Sequence, residues 1–324
     1  MKIGLIDVDN YENLDNCFPN LPLMKISAWH KKQGDTVEWH DPMFGGHYDK
    51  VYMSKVFSFT PDYPYFIDSA EISRGGSGYC ISLVDGKEVF DKSKDIELPY
   101  EIEHIMPDYS LYHIEDTAYG FCSRGCPRGC DFCHVKDKEG RISTKVADLS
   151  EFWNGQKNIS LFDPNTLACK HWKDILQQLI DSKAYVDFNQ GVDIRLMTEE
   201  KAKMVKKVKV KMIHFAYDRI EDKEIIEPRF KEWSESVGYK YNRSKVQCYV
   251  LCGFKEKRVL EEDLHRIYFL RELGISPYVM LYDKENIPKG HELRKLQRWV
   301  CNRIIFWKVP TFEEYLNKNK NDDE

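Results

Sequence analysis

The stretch Cys126-Pro-Arg-Gly-Cys130-Asp-Phe-Cys133 constrains this chain more than any other. Three thiols stand at C-x3-C-x2-C spacing within eight residues. Thiolates this close on one loop can all reach one face of a small inorganic cluster. A [4Fe-4S] cube ordinarily takes four cysteines. Three ligands leave one iron open, and an open iron implies chemistry rather than storage. Cys122 stands four residues earlier and extends the run to C-x3-C-x3-C-x2-C. That keeps two closed readings open: a four-thiolate cluster that only carries electrons, and a structural zinc site. Cys122 itself reads as a buried thiol at a strand end. Ten cysteines in 324 residues, four of them between positions 122 and 133, do not make a disulfide scaffold. In a reducing compartment such clustering reads as metal binding.

The rest of the chain reads as a small domain followed by a large one. Residues 1–85 open with the apolar run Lys2–Asp9, which predicts a buried parallel strand. A helix over Leu21–Gln33, closed by Gly34, and strands at Thr36–Trp39 and Lys50–Phe57 complete a βαβ pattern, hence a small Rossmann-like α/β domain. Gly75–Tyr79 reads as a turn. Residues 86–115 read as a linker. Over 116–310, strands at Ala118–Cys122, Ile159–Asp163, Val186–Gln190, Met212–Asp218, Val246–Phe254 and Pro277–Asp283 alternate with helices at His171–Ala184, Leu260–Leu273 and His291–Arg303. The last helix carries Leu293, Leu296, Val300 and Ile304 at helical spacing. Six such units predict a parallel sheet with right-handed crossovers, too few for an eight-stranded barrel. Residues 311–324 read as a C-terminal tail, frayed from Asn317. The cysteine loop follows the first of these six strands directly, where ligands of parallel α/β folds gather.

Composition narrows the function classes. A net charge of -5 gives no global basic field, so a nucleic-acid partner is neither demanded nor excluded. No run approaches about 18 apolar residues, so no membrane span is expected. Acids at Asp7 and Asp9 fall where a signal peptide would be apolar, which points to the cytoplasm. The lysines from Lys201 to Lys211 read as a solvated helix face.

With Phe132 just before its last cysteine and a strand just ahead of it, the loop resembles the signature of the radical S-adenosylmethionine superfamily. The chain as a whole is similar to superfamily proteins with an N-terminal cobalamin-binding-like domain. The resemblance implies a partial (β/α)6 TIM-like barrel and a [4Fe-4S] cluster held by Cys126, Cys130 and Cys133. It also implies S-adenosylmethionine on the open iron, cleaved reductively to a 5′-deoxyadenosyl radical. A reductase or flavodoxin-type protein would supply the electron. The substrate, whether small molecule, peptide or RNA, stays open. Methyl or methylthio transfer to RNA or peptide is one reaction class the resemblance allows. A non-catalytic iron–sulfur or zinc module that binds nucleic acid or a partner protein is the reading from a different class.

The same resemblance assigns cofactor contacts. The backbone of Phe132 would meet adenine. Asp163 and Asn165 stand where related chains carry Gly-Gly-Glu for the ammonium of S-adenosylmethionine; a turn that caps the next helix is the plainer reading. Gln190, Asp193 and Arg195 end the third strand. Asp193 would hold the ribose hydroxyls and Arg195 the methionine carboxylate, with Gln190 serving either; an Arg–Asp pair bracing a turn is the alternative. Cys252 and Tyr217 are candidate hydrogen donors to a product radical, although such residues more often fill the core. Cobalamin binders of this type carry Asp-x-His-x-x-Gly after the first strand. Here Asn10–Pro19 holds no histidine, which argues against cobalamin. A second cluster would have only Cys17 and Cys80 to draw on.

Overall fold

The computed structural model describes residues 1–14, 18–84, 87–237 and 244–320. Cys17 and part of the Asn10–Pro19 segment lie outside them. The chain divides into two compact units, residues 1–160 and 161–324.

The first unit is built on β1 (Lys2–Asp7), whose apolar run is buried on both faces, as a central parallel strand requires. The helix α1 (Leu21–Lys32) follows. The Asn20 side chain caps its N-terminus by accepting from the Leu23 amide at 3.3 Å. Strands β2 (Thr36–Trp39), β3 (Lys50–Ser54) and β4 (Ile72–Gly75) complete a parallel sheet in the order β2-β1-β3-β4. The strand β4 has no counterpart in the sequence reading. Ile-Ser-Arg-Gly is too polar to register as a strand, and its place at the sheet edge tolerates that. A short helix α2 (Ser77–Cys80) leads into a hairpin of β5 (Ile81–Val84) and β6 (Lys87–Phe90).

The stretch read as a linker is strapped to α1. The helix α3 (Tyr100–Glu103) receives Lys25, whose Nζ reaches the Glu103 carbonyl at 2.6 Å and its carboxylate at 2.9 Å. Asp108 accepts from Ser27 at 2.6 Å and Lys31 at 2.7 Å. Trp39 donates to the Leu111 carbonyl, and Tyr112 donates to Asp7. Strands β7 (Thr117–Gly120), β8 (Ser123–Arg124), β9 (Thr144–Lys145) and β10 (Asn158–Leu161) follow, with the one-turn helix α4 (Val135–Lys138) between β8 and β9.

The second unit alternates strand and helix: α5 (Trp172–Ser182), β11 (Tyr185–Phe188), α6 (Glu199–Lys207), β12 (Val210–Ala216), α7 (Lys223–Val237), β13 (Val246–Cys252), α8 (Glu261–Glu272) and β14 (Ser276–Leu281). The pairs β11–β12, β12–β13 and β13–β14 are parallel. The large sheet has the strand order β14-β13-β12-β11-β10-β7. Parity along the strands sorts its faces. Val186, Phe188, Ile213, Phe215, Cys248, Val250, Val279 and Leu281 are buried on one face, where Phe215 packs edge-on to Phe230 and Trp233 of α7.

Three helices close the chain: α9 (Glu292–Cys301), α10 (Arg303–Lys308) and α11 (Phe312–Lys320). Leu293, Leu296 and Val300 are buried as the spacing predicts, but Ile304 is 70% exposed. Asn302 ends α9 and caps α10, accepting from the Ile305 amide, so the helical phase restarts before Ile304. The segment read as a tail is helical through Lys320, because Phe312 and Tyr315 share a face and bury, with Phe312 packed 5.6 Å from Trp299. Residues 321–324 lie outside the described residues. No described helix is long and apolar enough to cross a membrane.

Candidate metal centre

The cysteine loop is the tip of a hairpin. Ser123 and Arg124 of β8 pair antiparallel with Lys145 and Thr144 of β9, so residues 125–143 hang from a two-residue ladder. Hydrogen bonds hold the base. The Val146 amide donates to the Cys122 carbonyl at 2.8 Å, and the Cys126 amide to the Gly140 carbonyl at 3.1 Å. The Gly125 amide donates to the Glu139 carboxylate at 3.1 Å. The same carboxylate lies 3.8 Å from Arg124, which sits over the Phe121 ring and also reaches Glu103 at 3.4 Å. Gly125 is required where it stands. Its φ is +88°, and a Cβ there would come within 2.2 Å of the Ile142 carbonyl oxygen. The Cys133 amide donates to the Cys130 carbonyl, and α4 begins two residues later.

Exposure sets the loop thiols apart from all the other described cysteines except Cys301, which is half-buried alone on α9. Cys126, Cys130 and Cys133 are half-buried, whereas Cys80, Cys122, Cys169, Cys248 and Cys252 are buried. A half-buried thiol on irregular backbone can meet an incoming cluster; one sealed in a core cannot. The donor set therefore fits three irons of a [4Fe-4S] cluster by type, spacing and accessibility. Among the described residues no group of three or more His, Cys, Asp or Glu side chains is gathered as a metal would need. The three thiols are therefore not drawn together into a closed cage. Cys122 is 1% exposed, two residues past β7.

Asp163 and Asn165 follow β10 in a buried turn, at 3% and 2% exposure. Thr166 donates its hydroxyl to Asp163 at 3.2 Å, ahead of a 3-10 turn over Thr166–Ala168. Asp193 and Arg195 follow β11 and meet each other. Asp193 caps the 3-10 turn Ile194–Leu196 and accepts from the Arg195 backbone amide at 3.1 Å and its Nε at 2.7 Å. Arg195 Nη1 reaches Asp222 at 2.7 Å. The guanidinium is thus braced between two carboxylates. Gln190 is exposed and lies in the turn before Gly191. Phe132 is half-buried in the cysteine loop.

Both hydrogen-donor candidates are sealed in the core. Tyr217 and Cys252 are 0% exposed. Tyr217 donates to Glu227 at 3.0 Å, and burial pushes its phenol well above the usual range. Burial raises the Cys252 thiol likewise. Arg266 lies behind them, donating to the Tyr217 and Leu251 carbonyls at 2.9 and 3.1 Å and pairing with Asp263.

Sequence reasoning missed the residues of the opposite sheet face. Register sets Ala216 beside Tyr249 and Tyr249 beside Tyr278, with Asp187 and His214 on neighbouring strands. His214 stacks on Tyr249 with ring centroids 5.1 Å apart, its Nδ1 3.5 Å from Asp187. Tyr249 donates to the Asn189 carbonyl at 3.0 Å. Burial raises the Asp187 carboxyl above the usual range, with His214 pulling it back. The usable signal was polar residues at alternate positions of strands whose other face is apolar.

No family model and no curated protein matches this chain. Among solved structures it is similar to the radical S-adenosylmethionine methyltransferase TsrM from Kitasatospora setae, solved with cobalamin and a [4Fe-4S] cluster bound. The two are 11% identical, the match covers 86% of this chain and 74% of that one, and the TM-score is 0.54. What the two share is a fold: a mixed α/β chain with parallel sheets.

Proposed function

We propose that this protein is a radical S-adenosylmethionine enzyme, with Cys126, Cys130 and Cys133 as the ligands of a [4Fe-4S] cluster. One observation carries the reading. A half-buried C-x3-C-x2-C loop hangs just past a strand of a large α/β sheet, in a chain whose fold is that of a known radical methyltransferase. When bound, such a cluster with S-adenosylmethionine on its open iron supplies the electron that cleaves the sulfonium and releases a 5′-deoxyadenosyl radical.

The chain's own residues do the rest. The β8–β9 ladder and the Glu139–Arg124 brace fix the base of the loop, so the three thiols start from one anchored backbone. Cys122 is buried in the core and would not serve as a fourth ligand. Asp163, Asn165, Gln190, Asp193 and Arg195 follow strands β10 and β11 and would hold the polar groups of S-adenosylmethionine. Asp222 keeps Arg195 oriented. On the open face, Tyr249 is a better placed hydrogen donor than Tyr217 or Cys252, because it is only partly buried. Methyl transfer is the favoured outcome among the radical reactions, since the fold neighbour is a methyltransferase. Cobalamin is not part of the proposal: Asn10–Pro19 offers no histidine.

The test is anaerobic reconstitution with iron and sulfide, reduction with dithionite, and addition of S-adenosylmethionine. The reading predicts 5′-deoxyadenosine from the wild type and from Cys122→Ala, and none from Cys126→Ala, Cys130→Ala or Cys133→Ala. A Cys122→Ala chain that loses iron as fully as Cys126→Ala would point to a closed four-thiolate or zinc site.

A further inference from the structure

The first unit holds a cavity of about 220 Å³ at the carboxyl ends of β1 and β2. Asp7 ends β1 and Trp39 ends β2; both line it, with Tyr11, His40, Tyr63 and Tyr65. Carboxyl ends of parallel strands are where such sheets bind ligands.

The walls are aromatic. Tyr11 meets Tyr63 at 5.1 Å and Tyr65 at 6.2 Å, and Tyr63 meets Tyr65 at 5.3 Å, all edge to face. His40 meets Tyr63 edge to face at 5.5 Å, with its Nδ1 3.0 Å from the Tyr63 hydroxyl. Burial holds the His40 imidazole below its usual range and pushes the Tyr63 phenol up to about 12, so both are neutral near pH 7.

Two carboxyl groups, Asp7 and Glu12, are in the lining. Asp7 is 1% exposed. Its Oδ2 accepts from Tyr112 at 2.8 Å and Asn10 at 3.1 Å. Its Oδ1 is buried and has no hydrogen-bond partner among the described residues. Glu12 also lines the cavity, and Tyr11 donates to it at 3.2 Å. Among the described residues no lysine or arginine is in the lining. Ring faces and carboxylates both attract a cation. A buried carboxylate oxygen without a donor calls for an N–H, which a quaternary ammonium lacks. The volume is below the roughly 300–1,000 Å³ of drug-sized pockets, so it suits one planar head group rather than a large cofactor.

We propose that this cavity binds a guanidinium or amidinium group, its plane against the tyrosine and tryptophan rings and one N–H donated to Asp7 Oδ1. The group belongs either to a free small molecule or to an arginine side chain of a peptide. The proposal does not rest on the cluster chemistry, and its test needs no cluster.

Binding is read on the full chain by calorimetry and by the fluorescence of Trp39, with benzamidine as the cationic probe and benzamide as its neutral counterpart. Benzamidine should bind about tenfold or more tightly than benzamide. Asp7→Asn, which keeps an acceptor for Tyr112, should weaken benzamidine about tenfold, and Tyr65→Ala, at an exposed rim position, a few-fold. Agmatine against Gly-Arg-Gly then separates the sources: tighter agmatine supports a free small molecule, tighter tripeptide a peptide side chain. Benzamide equal to benzamidine, or neither binding, overturns the proposal. So does a folded Asp7→Asn chain, by circular dichroism, that binds like the wild type. Should Asp7→Asn not fold, the cation-to-neutral ratio and Tyr65→Ala decide alone.

Discussion

Two sets of cysteines sit in this molecule under opposite conditions. Cys126, Cys130 and Cys133 lie half-buried on a loop tied at its base by the Cys126–Gly140 bond and farther along by Lys92 on the Lys138 carbonyl. Cys248 and Cys252 lie on β13 at 0% exposure, their thiols raised by burial and by the nearby carboxylates of Asp218 and Asp263. The residue type is the same. What differs is whether the thiol can meet a partner, and backbone geometry decides that. The loop thiols are open to a partner, as the proposal needs; the strand thiols serve as small apolar side chains.

The largest expected effect breaks that contrast at its root. Cys126→Ala should drop the iron bound after reconstitution from about four per chain to below about one, whereas Cys248→Ala should keep it. Iron and sulfide assays read both.

Next comes the core behind the strand thiols. Arg266 is 4% exposed, paired with Asp263 and bonded to the Tyr217 and Leu251 carbonyls. Arg266→Met leaves a buried carboxylate uncompensated and should cost about 3–5 kcal/mol in urea unfolding. Iron binding in the surviving folded fraction should be unchanged.

Gly125→Ala sharpens the comparison from the loop side. Its Cβ would collide with the Ile142 carbonyl, and its φ is strained for alanine. The cost should be about 1–3 kcal/mol, released by distorting the loop base, so iron uptake should fall.

The smallest effect is one of pH. Burial raises the Asp7 and Asp218 carboxyls above their ordinary range. A raised carboxyl makes the folded state hold its proton more tightly than the unfolded chain. That contribution is full below the ordinary carboxylate pKa and is lost as pH rises through the folded value. Urea midpoints should therefore decline with pH across the interval just above the ordinary value. Asp7→Asn should flatten that decline.

Much of this was legible in the sequence because it is local. The cysteine spacing, the Gly34 stop after α1 and the strand runs each depend on neighbours in the chain. The six large-sheet strands lie within two residues of the predicted starts. Strand β4 escaped because an edge strand needs no apolar run. Ile304 was misplaced because one capping asparagine resets helical phase. Asp222 against Arg195, and His214 against Tyr249, could not be read at all. Each pairing joins residues 27 or 35 positions apart, and only the register of strands and turns brings them together.

The central claim is an iron that no side chain fills. Electron–nuclear double resonance on the reduced, reconstituted cluster with S-adenosylmethionine carrying 15N at its amino group tests it directly. The account predicts a 15N coupling on the cluster signal in the wild type and in Cys122→Ala. A reduced cluster that shows no 15N coupling at saturating S-adenosylmethionine would contradict it.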